Sequence, residues 1–276
     1  MPLAIGCVVG TLESAAKAVG AQLEIDWTED SPWLCAVRIG ESDQEADDSY
    51  RRAILNRHSD RRPYLSELGE IDLDSIALAS TPGSWIQVLQ DRREIAVFAD
   101  AVAEATMAFG ADQAFRRELA GWLRPNETAD PDGMPGTVMG FKPLQTIVMK
   151  KILPIVNTGK PMAKQSHAQC VASGAILLIG TDVGSSADAA YFAVGRSAVT
   201  AAIEATRLGL ATSWIAAAAE SELIATRLED ELGLPGDLIV ALRVGVGPQP
   251  SPSPTPRRTS AEVTRQGPPP IERKLS

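Results

Sequence analysis

A long, almost uninterrupted apolar helix late in the chain constrains the fold more than any other feature. Residues 187–208 contain no proline and a single glycine, and small or apolar side chains surround most of the helical cylinder. This distribution is typical of a helix buried on several sides and not of an amphipathic surface helix. Gly209 ends the pattern, and the apolar run at 210–215 predicts a strand. The chain must therefore place protein on nearly every face of this helix.

The same pattern occurs a second time at the start of the sequence. The two copies align without a gap. The matching residues are Ala4-Ile5-Gly6, Thr11, Ala16 and Gly20 in the first copy, and Ala193-Val194-Gly195, Thr200, Ala205 and Gly209 in the second. Both copies continue into a strand and then into a second strand that ends A-[VL]-R-[IV]-G, at 36–40 and at 241–245. We interpret this shared order as an internal duplication, with two unrelated alanine-rich helices as the alternative. The duplication predicts two related α+β halves that form a pseudo-dimer, with helices 4–19 and 188–208 packed together near a local two-fold axis. The first half is incomplete within this sequence.

The amino-acid composition limits the kinds of molecule that the protein can bind. The 276 residues are 45% hydrophobic, enough for one large domain or two closely packed halves. A net charge of −9 argues against a nucleic acid or an anionic membrane as partner, because both require a basic field. The three cysteines have no metal-ligand spacing, and no apolar run approaches the length of a membrane span. We therefore expect a cytoplasmic protein with reduced thiols and no metal site.

The remaining elements follow from periodicity and turn signals. Helices are predicted at 49–57, 71–79, 91–109, 112–123, 143–156 and 220–232, and strands at 23–27, 85–89 and 175–181. Residues 124–140 form a glycine- and proline-rich loop of the length seen in lids and binding loops. Beyond Gly247 the chain becomes proline-rich, and we expect a mobile tail past about Thr264. The predicted organisation is a remnant of the first half at 1–46, the second half at 47–263 and a tail at 264–276.

One basic turn concentrates the chemistry of an otherwise acidic chain. Its cationic or hydrogen-bonding side chains are Arg57, His58, Ser59, Arg61 and Arg62. Arginine forks match phosphate oxygens, and a serine hydroxyl adds a neutral donor, so the turn is a candidate phosphate site. A solvated basic turn balanced by acidic neighbours is the alternative. A second pair, Arg257 and Arg258, can return to the same anion or belong to a disordered tail. His167, the only other histidine, has no partner recognisable from the sequence, and no nucleophile–base arrangement is present.

These motifs together resemble the flavin mononucleotide (FMN)-dependent nitroreductase family. The resemblance is carried by Arg-His-Ser-x-x-Arg after a short helix, by the buried helix that continues as Gly-Leu-x-x-Ser-Trp-Ile, and by the closing Arg-Val-Gly-Val-Gly with its later Arg-Arg pair. The duplication resembles the fused branch of that family, whose modules also occur attached to adenylating domains. The implied fold is a nitroreductase-like mixed sheet flanked by helices.

The resemblance implies a set of cofactor-binding residues. Arg57, Ser59 and Arg61, with His58 beside them, would hold the flavin phosphate and ribityl chain, and Arg257 or Arg258 would reach the same phosphate. The backbone of Ala216 and Ala217 would face the flavin N5 edge, where many relatives have glycine. No catalytic side chain is implied, because the flavin itself carries the hydride.

One family segment is only partly present. The Pro-Ser-Ser-x-Asn-x-Gln-Pro stretch is represented by residues 81–87, which lack the Asn, and the first half has no counterpart in this sequence. At most one flavin site is therefore expected. The resemblance implies an oxidoreductase that passes hydride from NAD(P)H to an unidentified small molecule, and the loop at 124–140 and the segment at 143–156 would cover the flavin. A non-catalytic flavin-binding, flavin-sequestering or dimerisation module is the alternative, and a flavin-free phosphate-binding module is a third. The incomplete half predicts self-association or an adjoining domain.

Overall fold

The computed structural model describes residues 2–27, 35–40, 42–65, 68, 73–182, 187–249 and 255–264. In chain order the elements are α1 (Pro2–Ala18), β1 (Gln22–Trp27), β2 (Cys35–Gly40), α2 (Asp48–Asn56), α3 (Asp74–Ala77), β3 (Ser84–Leu89), α4 (Arg92–Ala111), α5 (Gln113–Trp122), β4 (Leu123–Arg124), β5 (Met134–Pro135), α6 (Pro143–Ile152), α7 (Gly159–Val171), β6 (Ala175–Asp182), α8 (Ala187–Arg207), β7 (Ala211–Ile215), α9 (Glu222–Leu232), β8 (Gly236–Gly245) and α10 (Ser260–Val263). A short 3-10 turn covers Gly136–Met139. The fold is α+β, as the sequence predicts.

The centre of the molecule is an antiparallel sheet in the order β3-β6-β8-β7. Strand β6 is an unbroken apolar run, and its residues Ala175–Ile179 are fully buried because helices cover both faces of the sheet. One face packs on α4 and α9. The other packs on α8, whose residues contribute small side chains to the core there. This three-layer arrangement places helix α8 in the interior, where the sequence pattern put it.

Local signals account for most helix ends. The Asp91 and Asp112 side chains cap α4 and α5 by accepting hydrogen bonds from backbone N–H groups of the first turn. Gly209 (φ +77°) and Gly233 (φ +60°) end α8 and α9 in the left-handed conformation that favours glycine. Two expectations need correction. Helix α6 ends at Ile152 rather than 156, because residues 153–155 turn away, and α7 was not predicted at all.

Helices α1 and α8 cross at their glycines. A Cβ added to Gly6 would lie 2.1 Å from the Phe192 carbonyl oxygen, and one added to Gly195 would lie 2.1 Å from the Leu3 carbonyl oxygen. Gly6 therefore contacts the carbonyl of the residue three positions before Gly195, and Gly195 contacts the carbonyl of the residue three positions before Gly6. The two backbones touch directly at this point, as only glycine permits. The predicted contact between the two helices is present, and its geometry is reciprocal.

The chain leaves both helices in the same way. The turn after α1 has Gly20 at φ +68° and an Ala21 N–H donating to the Ala16 carbonyl oxygen (2.9 Å). After α8, Leu210 N–H donates to the Ala205 carbonyl oxygen, also at 2.9 Å. These pairs of residues are those that the sequence repeat aligns.

The strands that follow also pair alike. Strand β1 pairs antiparallel with β2 so that Gln22 opposes Gly40, and β7 pairs antiparallel with β8 so that Ala211 opposes Gly245. The arginine of the A-[VL]-R-[IV]-G motif lies two residues before that glycine in both hairpins. Among the described residues, β1 and β2 form a separate two-stranded sheet, whereas β7 and β8 belong to the central one.

Some expectations concern residues outside the described ranges. They include the tail beyond Thr264, the start of the helix predicted at 71–79 and part of the proline-rich stretch after Gly247. Within the described residues, no helix has the length and apolarity needed to cross a membrane.

Candidate functional site

The basic turn is positioned by the end of α2 and by strand β7. Arg57 is the C-cap of α2, and its N–H donates to the Ala53 carbonyl oxygen at 2.8 Å. Ser59 forms an isolated parallel bridge with Thr212, and the Asp60 N–H donates to the Thr212 carbonyl oxygen at 2.9 Å. The turn is thus attached along the edge strand of the central sheet.

A fully buried arginine donates hydrogen bonds to the backbone of the basic turn. Arg243, in the A-[VL]-R-[IV]-G motif of β8, is 1% exposed and stacks on the Tyr64 ring at 4.4 Å. Its guanidinium donates to the carbonyl oxygens of Gln169 (2.7 Å), Asp60 (3.1 Å) and Arg62 (3.3 Å). Because buried carbonyls need partners, this arginine satisfies them and fixes the path of the turn. The sequence repeat identified this arginine, but its role was not predicted.

One arginine of the turn forms an ion pair with a carboxylate. Arg62 Nη2 lies 2.7 Å from Asp60 Oδ2, and Arg62 Nη2 also donates to the Pro248 carbonyl oxygen at 2.7 Å. Burial raises the pKa of the Asp60 carboxyl, but hydrogen bonds from Arg62 outweigh this and the pKa is lowered overall. The alternative of an acid-balanced turn therefore applies to Arg62, with Asp60 as its partner.

The other two arginines lack such a partner. In the described part of the chain, neither the Arg57 nor the Arg61 guanidinium forms an ion pair or a hydrogen bond, although both residues are half-buried. Burial and the nearby Arg257 lower the pKa of Arg57, while burial and Arg243 lower the pKa of Arg61. Removing a guanidinium from water without an anion is unfavourable. Both groups are consequently arranged to gain from an anionic ligand.

Three cavities meet at this turn. One of about 630 Å³ is lined by Arg57, His58 and Arg257 together with residues of α2 and β7, and the other two are a larger and a smaller cavity. The larger, about 1060 Å³, is lined by Arg57, His58, Ser59, Arg61 and Arg257 among others. The smaller, about 330 Å³, contains Ala216 and Ala217 in its wall. Both cavities share the lining residues Arg61, Met139, Gln165, Gln169 and Trp214. The structure thus places the basic turn and the alanine pair in the walls of adjoining cavities, whereas Arg258 lines neither of them.

The alanine pair follows β7 in an ordinary backbone conformation. Every non-glycine residue in the described chain has a negative φ, which includes Ala216 and Ala217. The Ala216 carbonyl oxygen accepts from Glu220 N–H at 2.9 Å, whereas the Ala217 N–H has no hydrogen-bond partner in the described ranges. Ala217 also lines the smaller cavity, so its amide is a candidate donor to a ligand there.

The predicted lid loop forms one wall of the larger cavity. Its lining residues are Asn126–Thr128, Gly133–Pro135 and Thr137–Gly140. Arg124 lies 3.5 Å from Asp130 and 3.3 Å from Asp132, and the parallel pair β4–β5 closes the loop at its base. Arg258 also points to this loop, with its Nη2 3.6 Å from Asp132.

The partial family segment at 81–87 lies elsewhere. The Ser84 hydroxyl is 2.6 Å and the Thr81 hydroxyl 2.9 Å from the Ser197 hydroxyl of α8. This hydroxyl cluster lies beside the helix crossing and contributes no residue to either cavity.

The histidines and cysteines in the described part of the chain have identifiable surroundings. His58 Nδ1 contacts the Asn56 carbonyl oxygen at 2.8 Å, and His167 Nε2 pairs with Asp100 at 3.1 Å, a partner that the sequence did not reveal. Within the described ranges, no cluster of three or more His, Cys, Asp or Glu side chains is suited to a metal ion. The cysteines there are free thiols, and burial raises the pKa of Cys170 to about 12. The lining of the two cavities includes the cationic side chains of Arg57, Arg61 and Arg257 and the backbone of Ala216 and Ala217.

Comparisons with known proteins bear on the fold. No family model and no curated protein matches the sequence. Among solved structures, a nitroreductase with bound FMN from Desulfitobacterium hafniense DCB-2 matches with a TM-score of 0.51 and 14% identity, covering 81% of this chain and 100% of that one. A BluB-like flavoprotein from Clostridium difficile 630 gives 0.48 at 14% identity, covering 78% and 97%. The FMN- and NADPH-dependent nitroreductase NfnB from sphigopyxis sp. strain HMH gives 0.47 at 18%, covering 79% and 98%. At such identities the first match bears on architecture alone, and on that match the chain has a nitroreductase-like α+β fold.

Proposed function

We propose that this protein binds FMN and acts as a nitroreductase-type oxidoreductase. The observation that carries the proposal is the pair of half-buried guanidinium groups, Arg57 and Arg61, that have no carboxylate partner in the described chain. They lie at the end of cavities large enough for a flavin nucleotide. The FMN-bound nitroreductase of similar fold supports the choice of ligand.

The residues present fit FMN in both charge and layout. The phosphate would be held by Arg57, Ser59 and Arg257, and Arg61 lies between this end and the smaller cavity. The flavin supplies hydride transfer when it is bound. The Ala217 N–H would donate a hydrogen bond towards the ring edge, and such a preorganised donor stabilises negative charge on a reduced ring. Trp214 and Met139 line both cavities and would give the ring apolar contacts.

The donor and the acceptor follow from the same proposal. NADPH dependence of a nitroreductase of similar fold suggests NAD(P)H as the electron donor, and a small molecule as acceptor. A non-catalytic flavin-holding protein is the second candidate. It is favoured by the loop at 124–140, which lines one side of the larger cavity and whose own fold is held by the Arg124 ion pairs. The absence of glycine at Ala216 and Ala217 also leaves less space beside the ring.

We also propose that the two halves arose by duplication. Support comes from the reciprocal Gly6 and Gly195 contacts, from the shared turn at Gly20 and Gly209, and from the common register of β1–β2 and β7–β8. On this proposal residues 1–46 are the remnant of one half and 47–263 the other.

The test compares two flavins in two variants. Arg57→Ala should weaken FMN binding ten- to a hundredfold, the loss of about 1.5–3 kcal/mol expected for one charge-assisted hydrogen bond. Riboflavin, which has no phosphate, should bind the variant and the parent protein equally. Arg93→Ala, on the exposed start of α4, is the control and should change neither affinity.

A turnover assay then distinguishes the oxidoreductase from the non-catalytic flavin-holding protein. A yellow protein that oxidises NAD(P)H in the presence of an acceptor supports the oxidoreductase. A flavin-loaded protein that does not react with NAD(P)H supports the flavin-holding alternative. Equal loss of FMN and riboflavin in Arg57→Ala, or no flavin binding at all, would refute the FMN site.

A further inference from the structure

Strand β2 has an open edge at the position where its counterpart β8 is covered. In the central sheet, β8 lies between β7 and β6. Strand β2 occupies the equivalent place beside β1, yet among the described residues it pairs with β1 alone. An unpaired edge offers a row of backbone donors and acceptors to another strand.

Apolar side chains next to this edge are exposed where their counterparts are buried. Ile39 is 80% exposed, whereas Val244 at the equivalent place in β8 is fully buried. On helix α1, Leu12 is 43% exposed, and its counterpart Ala201 is fully buried in the core cluster that contains β6. Val8 is 60% exposed. A strand in the place of β6 would cover these side chains.

The second half also shows which backbone groups point to the open edge. The Val244 carbonyl oxygen accepts from Gly174 N–H at 2.9 Å, on the side of β8 that faces β6. In an antiparallel strand the N–H and C=O of one residue point to the same side, and residues alternate. By equivalence, the outward-pointing residues of β2 are Ile39, Val37 and Cys35.

We propose that β2 pairs antiparallel with β2 of a second copy of this chain. Val37 lies opposite Val37 of the second copy on the two-fold axis, and Cys35 lies opposite Ile39. The result is a four-stranded sheet in the order β1-β2-β2-β1, with the same strand direction that β6 takes against β8.

Self-complementarity is the reason for choosing a second copy. In this register three apolar pairs line one face, and on the other face Arg38 opposes the small Ala36, so no like charges meet directly. A two-fold axis closes the contact and leaves neither β2 edge free. The interface lies apart from the cavities and does not depend on the flavin.

The first test is the oligomeric state of the full chain in sedimentation velocity. We expect a dimer that Ile39→Lys weakens by more than about tenfold, because each interface would then bury two unpaired ammonium groups. Leu223→Lys, at a residue of α9 that is 78% exposed, is the matched control and should leave the dimer intact. A monomer at all concentrations, or a dimer indifferent to Ile39→Lys, overturns the proposal.

The second test determines the register in which the two β2 strands pair. Directly opposed residues of this kind have Cα atoms about 5.5 Å apart, within the range of about 4.4–6.8 Å that a disulfide spans. In a Cys35→Ser background, Val37→Cys should therefore give an oxidised covalent dimer. Ile39→Cys in the same background should not, because the two copies of residue 39 lie about 13 Å apart along the strands. Cross-linking of Ile39→Cys without Val37→Cys overturns the pairing.

Discussion

The crossing of α1 and α8 makes a quantitative prediction about stability. In Gly195→Ala the new Cβ would lie 2.1 Å from the Leu3 carbonyl oxygen, so the helices must separate by about 1.5 Å to reach ordinary contact. Overpacking of this kind costs about 1–3 kcal/mol, and higher helix propensity of alanine returns up to about 1 kcal/mol. We expect a net loss of about 1–2 kcal/mol in the free energy of unfolding. For a chain of this size that corresponds to a fall in Tm of about 2–8 °C.

The control and the second variant sharpen this experiment. Gly121 in α5 has nothing within 4 Å of an added Cβ, so Gly121→Ala should stabilise by about 0.5–1 kcal/mol. Gly6→Ala should cost about as much as Gly195→Ala, because the contacts are reciprocal. The double variant should cost less than the sum, since one separation of the helices relieves both contacts. Chemical denaturation measures all four. If Gly195→Ala were as stable as Gly121→Ala, or the double variant strictly additive, the direct backbone contact would be refuted.

Three further predictions concern the site and its surroundings. Ala217→Pro removes an amide donor and should slow reduction of the bound flavin by NAD(P)H far more than it weakens FMN binding; unchanged stopped-flow kinetics in a folded, loaded protein would exclude this amide. Hydrogen bonds from Arg62 lower the pKa of the Asp60 carboxyl in the folded protein. The ionised carboxyl therefore stabilises the fold above its unfolded pKa near 3.9, and this stabilisation is lost as the pH falls through the lower pKa of the folded protein. Asp60→Asn should therefore flatten the acid limb of a stability–pH curve, and an unchanged limb would contradict the assignment. The Cys170 thiol, with its pKa raised to about 12 by burial, should resist iodoacetamide at pH 8 until urea unfolds the protein, and fast labelling of the native protein would show that the burial is wrong.

Much of the architecture could be predicted because local signals agree with tertiary packing. The all-round apolar character of α8 indicated an interior helix. The helices predicted at 91–109 and 112–123 are α4 and α5, whose first turns the Asp91 and Asp112 side chains cap in the structure. Helix α7 was missed because its sequence has little amphipathic contrast. It carries Pro161 in its first turn and is stabilised by long-range packing on α4 through residues such as Cys170.

The sequence predicted which residues form the candidate site but not the partner of each one. The charge pattern grouped Arg57, Arg61 and Arg62 in one basic turn, and the family resemblance selected Arg57 and Arg61 for the phosphate. The fold gives Arg62 the Asp60 carboxylate as a partner. That difference depends on side-chain directions in a turn, which no periodicity encodes. The role of Arg243 beneath the turn depends on carbonyls far away in sequence and was equally inaccessible.

The reciprocal glycine contact also has a consequence for the order of folding. It joins residues 6 and 195, so it closes a loop of 189 residues. Closing such a loop costs about 4–5 kcal/mol of chain entropy beyond the constant term, and contacts of high sequence separation form slowly. Strands β6, β7 and β8 and helix α8, which lie close together in sequence, can assemble before that cost is met. Helix α1 should therefore dock late, and in pulse-labelling hydrogen exchange its amides should gain protection after those of β6 and α8.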